Sequence, residues 1–174
     1  VPPVGVISVT VVGADRVGAA LGAFGAVLRD LQPFWRDEFA PRFFAKVQDR
    51  FNLQGQSRGP GGRFSSGGRW APLSVDYQKW KERHFPGQPI LQRTGVLRDS
   101  LVWGGSSVGP DGIFEASPTT VVVGTAVPYG VFHQTGTPKM PARPFIDPPD
   151  PSEWASVLRQ WVMREARKTG LTVG

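Results

Sequence analysis

The sequence predicts an α+β fold: a small antiparallel β-sheet flanked by helices on one face, with a long Gly/Arg-rich loop and a C-terminal amphipathic helix. Three observations lead there. Short β-branched runs at 4–12, 113–116 and 119–124 are bounded by Gly, Pro and Ser, as strands are. Apolar residues at steps of three and four mark helices near both ends of the chain. Finally, 22 Gly and 17 Pro are clustered between these runs, which makes punctuated loops of the connections.

Residues 4–12 (Val-Gly-Val-Ile-Ser-Val-Thr-Val-Val) read as a strand that Gly13 ends. Asp15 is placed to cap the following helix, on which Val17, Leu21, Phe24, Leu28 and Leu31 share a face. Gly18, Ala19, Ala20 and Gly22 interleave and leave room for close packing, although a glycine there costs about 1 kcal/mol of helix propensity. Pro33 opens a second helix. Its stripe is Trp35, Phe39, Phe43 and Val47, with Phe44 and Phe51 alongside, and this is a core face. Pro41 predicts a kink or a split in it.

Residues 54–69 hold six glycines, three arginines and three serines without periodicity, and read as a flexible loop. A third helix follows from Val75 to His84, with Ser74 as N-cap and Tyr77 and Trp80 facing inward; Pro86 and Pro89 end it. The stretch Ile90–Ser100 predicts one helical turn before a strand near Leu101–Trp103. Ile113–Ala116 and Thr119–Gly124 then complete an antiparallel meander. Six prolines between 136 and 151 stiffen an extended segment. In the last helix Asp150 is the N-cap, Pro151 the first residue, and Glu153 the third. Trp154, Val157, Leu158, Trp161 and Val162 form its stripe. Arg164, Arg167 and Lys168 suit a helix C-terminus, and Gly170 stops it. Residues 1–174 are thus expected to form one domain, with a flexible arm at 54–72 and a C-terminal helix at about 151–169.

Composition excludes several chemistries. The chain has no cysteine, hence no disulfide, thiol nucleophile or thiolate metal site. No apolar run approaches the roughly 20 residues that span a bilayer, and the first residues lack the basic region of a signal peptide. The net charge of +6 is local: 54–98 carries Arg58, Arg63, Arg69, Lys79, Lys81, Arg83, Arg93 and Arg98 against Asp76 and Glu82. A local charge asks for a local partner.

Only two histidines are present. His84 ends a basic helix and reads as solvated; His133, in Val-Phe-His-Gln-Thr-Gly, suits a hydrogen bond to a carbonyl or a neighbouring subunit. Neither stands at ligand spacing with another His or a carboxylate, so no catalytic residue, cofactor or metal is expected. The glycine loop lacks the Gly-Lys-Ser/Thr of a phosphate-binding loop. Arg58, Arg63 and Arg69, with Phe64 and Trp70 beside them, fit a solubilising loop, a contact with an adjoining protein, or a non-specific grip on phosphates. In Pro-Ala-Arg-Pro-Phe (141–145), flanking prolines hold Arg143 extended and Phe145 offers an anchor. That phrase serves an intrachain clamp onto the sheet and an intersubunit contact equally well.

Five phrases occur in a fixed order: Gly-Gly-Arg-Trp-Ala-Pro-Leu-Ser (67–74), Ile-Leu-Gln-Arg-Thr-Gly-Val-Leu-Arg-Asp-Ser-Leu (90–101), Val-Gly-Thr (123–125), Tyr-Gly-Val-Phe-His-Gln-Thr-Gly-Thr (129–137) and Pro-Ala-Arg-Pro-Phe-Ile (141–146). In these the chain resembles the phage virion morphogenesis family, the tail-completion proteins of Mu-like and P2-like phages, over roughly residues 47–146. Its opening Val-Thr-Val-Val-Gly-Ala-Asp-Arg-Val is similar to related siphophage tail-component and tail-terminator proteins. The Arg/Gly loop at 54–69 is longer than the family pattern.

The resemblance implies a structural virion protein of the neck, a tail terminator or tail-completion ring, and no enzyme. Implied partners are further copies of the chain in a ring (a hexamer), the tail tube protein, a head-closure or connector protein, and genomic DNA in the channel, with no membrane. It would be assembled in the host cytoplasm into the head–tail junction. A head-side connector is the alternative, and a non-specific basic nucleic-acid-binding protein a further one. On this reading Arg69, Trp70, His133, Gln134, Arg143 and Phe145 are expected to contact other subunits or neighbours, and Arg58, Arg63 and Arg69 to face DNA.

Overall fold

The computed structural model describes residues 14–58, 64–65, 68–148 and 150–170, and at 14–18, 57–58 and 64–65 the backbone alone. The strand expected at 4–12 lies outside the described residues. The fold is α+β. Helix α1 spans Ala14–Arg29, so Asp15 sits within its first turn and not at the cap. Leu31 then donates its N–H to the Pro118 carbonyl at 2.9 Å, tying the end of this segment to a distant turn.

The organising element is one aromatic helix in three sections: α2 (Gln32–Phe34), a π turn (Trp35–Phe39) and α3 (Ala40–Asn52). Pro33 stands at the start, as expected. Pro41 neither splits nor ends the helix. The residue before it, Ala40, bonds its N–H to the Trp35 carbonyl five residues back. This wider π turn accommodates a ring that has no N–H to give, so the helix continues.

Three parts of the chain pack on that helix. Phe34 and Phe39 meet Trp161 and Trp154 of α7 (Pro151–Lys168), with ring centroids 5.6 and 4.5 Å apart. Phe44 stacks on Trp103, which meets Phe114 edge-on at 4.8 Å and so carries the strand pair β3 (Gly112–Ala116) and β4 (Val121–Thr125). Phe51 reaches Trp70 and Phe145. Each such ring, fully buried, contributes about 1.5–3 kcal/mol. Ion pairs of Glu38 with Arg164 and of Lys46 with Glu153 fix α7 along the helix. Its N-terminus follows the sequence reading, the Asp150 carboxylate accepting from the Ser152 N–H at 2.8 Å.

The β-structure is two separate ladders where one meander was expected. β1 (Ser57–Arg58) pairs antiparallel with β2 (Phe64–Ser65) inside the stretch read as a flexible loop. β3 pairs antiparallel with β4 over five positions, Gly112 opposite Thr125 through to Ala116 opposite Val121. The strand expected near Leu101–Trp103 reduces to a single bridge, Trp103 to Val108. Gly-Gly-Ser-Ser turns the chain too tightly for a longer ladder.

Helix α4 covers Val75–His84 as expected, but its inward side differs. Lys81 is the buried residue, its ammonium donating to the Pro89 carbonyl, while Tyr77 is exposed and Trp80 half-buried. The aromatic residues cover one another: Trp80 stacks on Tyr77 at 5.5 Å and on His84 at 4.7 Å. Ser74 occupies the cap position without a side-chain bond to the helix. Two short helices complete the chain, α5 (Val96–Asp99) and α6 (Gly130–Thr135).

Candidate functional site

The phrases 67–74, 129–137 and 141–146 meet at one place, and they meet inside the chain. Arg143 is buried; its Nε and Nη2 donate to the carbonyls of Ala71 and Pro72, both at 2.9 Å. Its backbone N–H donates to the His133 carbonyl at 2.7 Å. Trp70 donates from Nε1 to the Pro144 carbonyl at 2.8 Å. Gln134 behaves like a piece of strand: its Oε1 accepts the N–H groups of Phe145 and Ile146 at 3.1 Å, and its Nε2 donates to the Ile146 carbonyl at 2.6 Å. Phe145 is buried behind Phe51.

Glycine stands at two close approaches here, and at Gly136 it is required. A Cβ on Gly130 would come within 3.3 Å of Leu97 and 3.4 Å of Thr125. Gly136, at φ +77°, passes so close to Ala142 that a Cβ would lie 2.7 Å from its nitrogen. Ser100 links the phrases 90–101 and 123–125, its hydroxyl 2.8 Å from that of Thr125. The five phrases are therefore the parts of an internal clamp.

Several of the residues expected to contact neighbours are engaged within the chain. Trp70, Arg143 and Phe145 are buried and Gln134 half-buried, with their polar groups bonded within the chain. Burial also lowers the pKa of Arg143 from its ordinary value. His133 sits half-buried within reach of the Arg143 charge, its ring T-shaped to that of Tyr129 with centroids 5.9 Å apart. Its Nδ1 is buried and has no hydrogen-bond partner. Desolvation first, and then the Arg143 charge, hold its pKa below 6.5. Arg69 is exposed. Arg63 and the side chain of Arg58 lie outside the described residues.

Sequence reasoning missed three participants. Arg50 is buried beneath the clamp, donating to the Pro144 carbonyl at 3.1 Å and pairing with Asp147. A cation one position before Phe51, inside an apolar stripe, was the available signal. Gln54 and Gln92 both donate to the Phe51 carbonyl, satisfying the end of α3.

What faces solvent is apolar in places. Val131 and Phe132 on α6, Val75 and Tyr77 on α4, Val122 on β4 and Met163 on α7 are all exposed. A cleft of about 370 Å³ lies between α1, α2 and α7, lined by Val27, Asp30, Asp37, Trp161, Arg164 and Lys168 among others. Its charges are mixed. Among the described residues no group of three His, Cys, Asp or Glu could hold a metal ion. No helix among them is long and apolar enough to cross a membrane.

The chain is similar to a phage protein. It is 32% identical over 81 residues to Mu-like prophage FluMu G protein 1 of Haemophilus influenzae, a match covering 47% of this chain and 49% of that protein. The chain thus spans about half the length of the curated relative it matches. No protein-family model and no solved structure matches it.

Proposed function

We propose that this chain is a structural protein of a phage virion, acting at the neck as a tail terminator or tail-completion ring. The observation that carries this reading is the similarity to the Mu-like prophage protein. The ordered phrases 67–146, which interlock into one clamp, agree with it: they preserve a shape. Exposed apolar residues such as Val131 and Phe132 supply surface for neighbours.

The reading assigns no catalysis. His133 is the histidine of the clamp; the Arg143 charge and the Tyr129 ring are its neighbours, and among the described residues no carboxylate bonds its ring. The partners we assign are further copies of the chain in a hexameric ring, the tail tube protein and a head-closure protein. Genomic DNA in the channel would meet Arg58, Arg63 and Arg69. Salt-dependent DNA binding that disappears when these three are neutralised supports that contact, and no binding at low salt removes it.

The test is electron microscopy of particles made when the gene is silenced in its phage. Filled heads beside unattached tails, especially tails of runaway length, support a terminator. Unattached tails of normal length favour a head-side connector. Joined, intact virions overturn the reading.

A further inference from the structure

Two outward stripes on different elements match each other in charge, spacing and shape. The first is on α7. Arg159, Met163 and Arg167 follow at four-residue intervals and all are exposed. Neighbouring cations on this helix are neutralised, Arg164 by Glu38 and Lys168 by Glu165. Arg159 and Arg167 form no ion pair among the described residues.

The second stripe is the outer face of the β3–β4 ladder. Phe114, Val121 and Val123 pack inward against the core, which leaves Ile113, Glu115, Val122 and Gly124 on the other side. Val122 is 53% exposed. Over Gly124 there is open space, since a Cβ there would meet nothing within 4 Å. Glu115 is exposed, as is Asp111 at the foot of β3, and neither forms an ion pair among the described residues.

The spacings agree. Eight helical residues separate Arg159 from Arg167, about 12 Å. Glu115 stands in β3 and Asp111 in the turn just before it, at φ +60°, so the two acids lie at most about 14 Å apart along the chain. Met163 stands midway between the cations, as Ile113 does between the acids.

We propose that these two faces join copies of this chain head to tail. The α7 of one copy lies on the bare hairpin face of the next, Arg159 and Arg167 against the two acids. Met163 fills the space over Gly124, between Ile113 and Val122. Because the two faces differ, the contact is heterologous: its repetition closes a ring or extends a helix, and does not stop at a two-fold dimer. The inference rests on the self-assembly part of the proposed function and names the surface that carries it.

The test is the mass of the purified chain in solution at low salt, by light scattering and mass photometry. Arg159→Glu with Arg167→Glu is expected to weaken self-association about tenfold or more, because like charges would then meet. Glu115→Lys weakens it too, and adding it to the arginine double variant restores part of the loss. Mixing the arginine variant with the Glu115→Lys variant makes one wild-type and one charge-reversed junction, so association returns in the mixture with the two variants alternating, while each variant alone stays weakened. All these side chains are exposed, and unchanged thermal unfolding checks that the fold survives. A wild-type chain that stays monomeric at low salt overturns the inference, as does association indifferent to these substitutions. A monomeric chain whose silencing still yields unattached tails removes this interface and leaves the neck reading standing.

Discussion

Helices α1 and α3 both place a large apolar residue every three or four positions, yet their stripes end in different surroundings. In α3, Phe43, Phe44, Val47 and Phe51 are buried, because α7, the β3–β4 hairpin and the clamp cover the helix from three sides. In α1, Leu21 and Leu28 remain 55% and 46% exposed. Periodicity states which side of a helix is apolar; it does not state what covers that side. The difference lies in the neighbours, and the neighbours come from remote parts of the chain.

Truncation separates the two most sharply. Phe44→Ala is expected to cost about 3–5 kcal/mol, since a fully buried ring would leave a cavity beside Trp103. Leu21→Ala should cost less than about 1 kcal/mol, as half the side chain already meets water. Urea unfolding of the two variants measures both. Equal losses would erase the contrast and mean that α1 is covered in solution.

A similar contrast holds for two arginines. Arg143→Met leaves the Ala71 and Pro72 carbonyls without their donors, at a cost of about 2–3 kcal/mol. Lysine should not rescue it, because one ammonium cannot replace a planar fork serving two carbonyls. Arg69→Met should lie within about 0.5 kcal/mol of wild type. A large effect at Arg69 would show that the solvent-facing cation also holds the fold.

These contrasts show what was legible in the sequence. Helix α7 was readable almost to the residue because its signals are local: Asp150 as cap, Pro151 in the first turn, and a stripe of Trp and Val. The strands β3 and β4 were readable for the same reason. Helix α6 was not, since Gly-Val-Phe-His-Gln-Thr has no stripe and is held by Gln134 bonding to 145–146. The clamp was half legible. The phrase around Arg143 announced a fixed extended arginine, but its partners lie some 70 residues away, at Ala71 and Pro72. Nothing in the phrase distinguishes a carbonyl of the same chain from one on a neighbour.

Caps give a smaller effect. Asp150→Ala removes a carboxylate that accepts from Ser152 and should lower the urea midpoint measurably. Ser74 holds the same position on α4 without making the bond, so Ser74→Ala should change stability by only a few tenths, about 0.3 kcal/mol. Comparable losses at both sites would show that Ser74 caps its helix in solution.

Between the buried and exposed extremes stands His133, and pH reads its position. Its ring is half-buried, its Nδ1 is unpartnered, and the charged neighbour that lowers its pKa is the Arg143 cation. The unfolded chain holds this proton up to a pH near 6.5, and the folded chain releases it at a lower pH. Within that window unfolding takes up a proton, so stability rises with pH. It is lost as pH falls below about 6.5 and becomes level above it. Glu38 and Asp150 have pKa values below 4.5 and 3.8, so their contributions are lost at more acidic pH. Urea midpoints between pH of about 7 and 5.5 should therefore fall more steeply for wild type than for His133→Gln. Replacing Arg143 by methionine should flatten the slope in part and leave the portion due to burial. If His133→Gln leaves the slope unchanged, water reaches the ring in the native state, and the clamp is open on the α6 side.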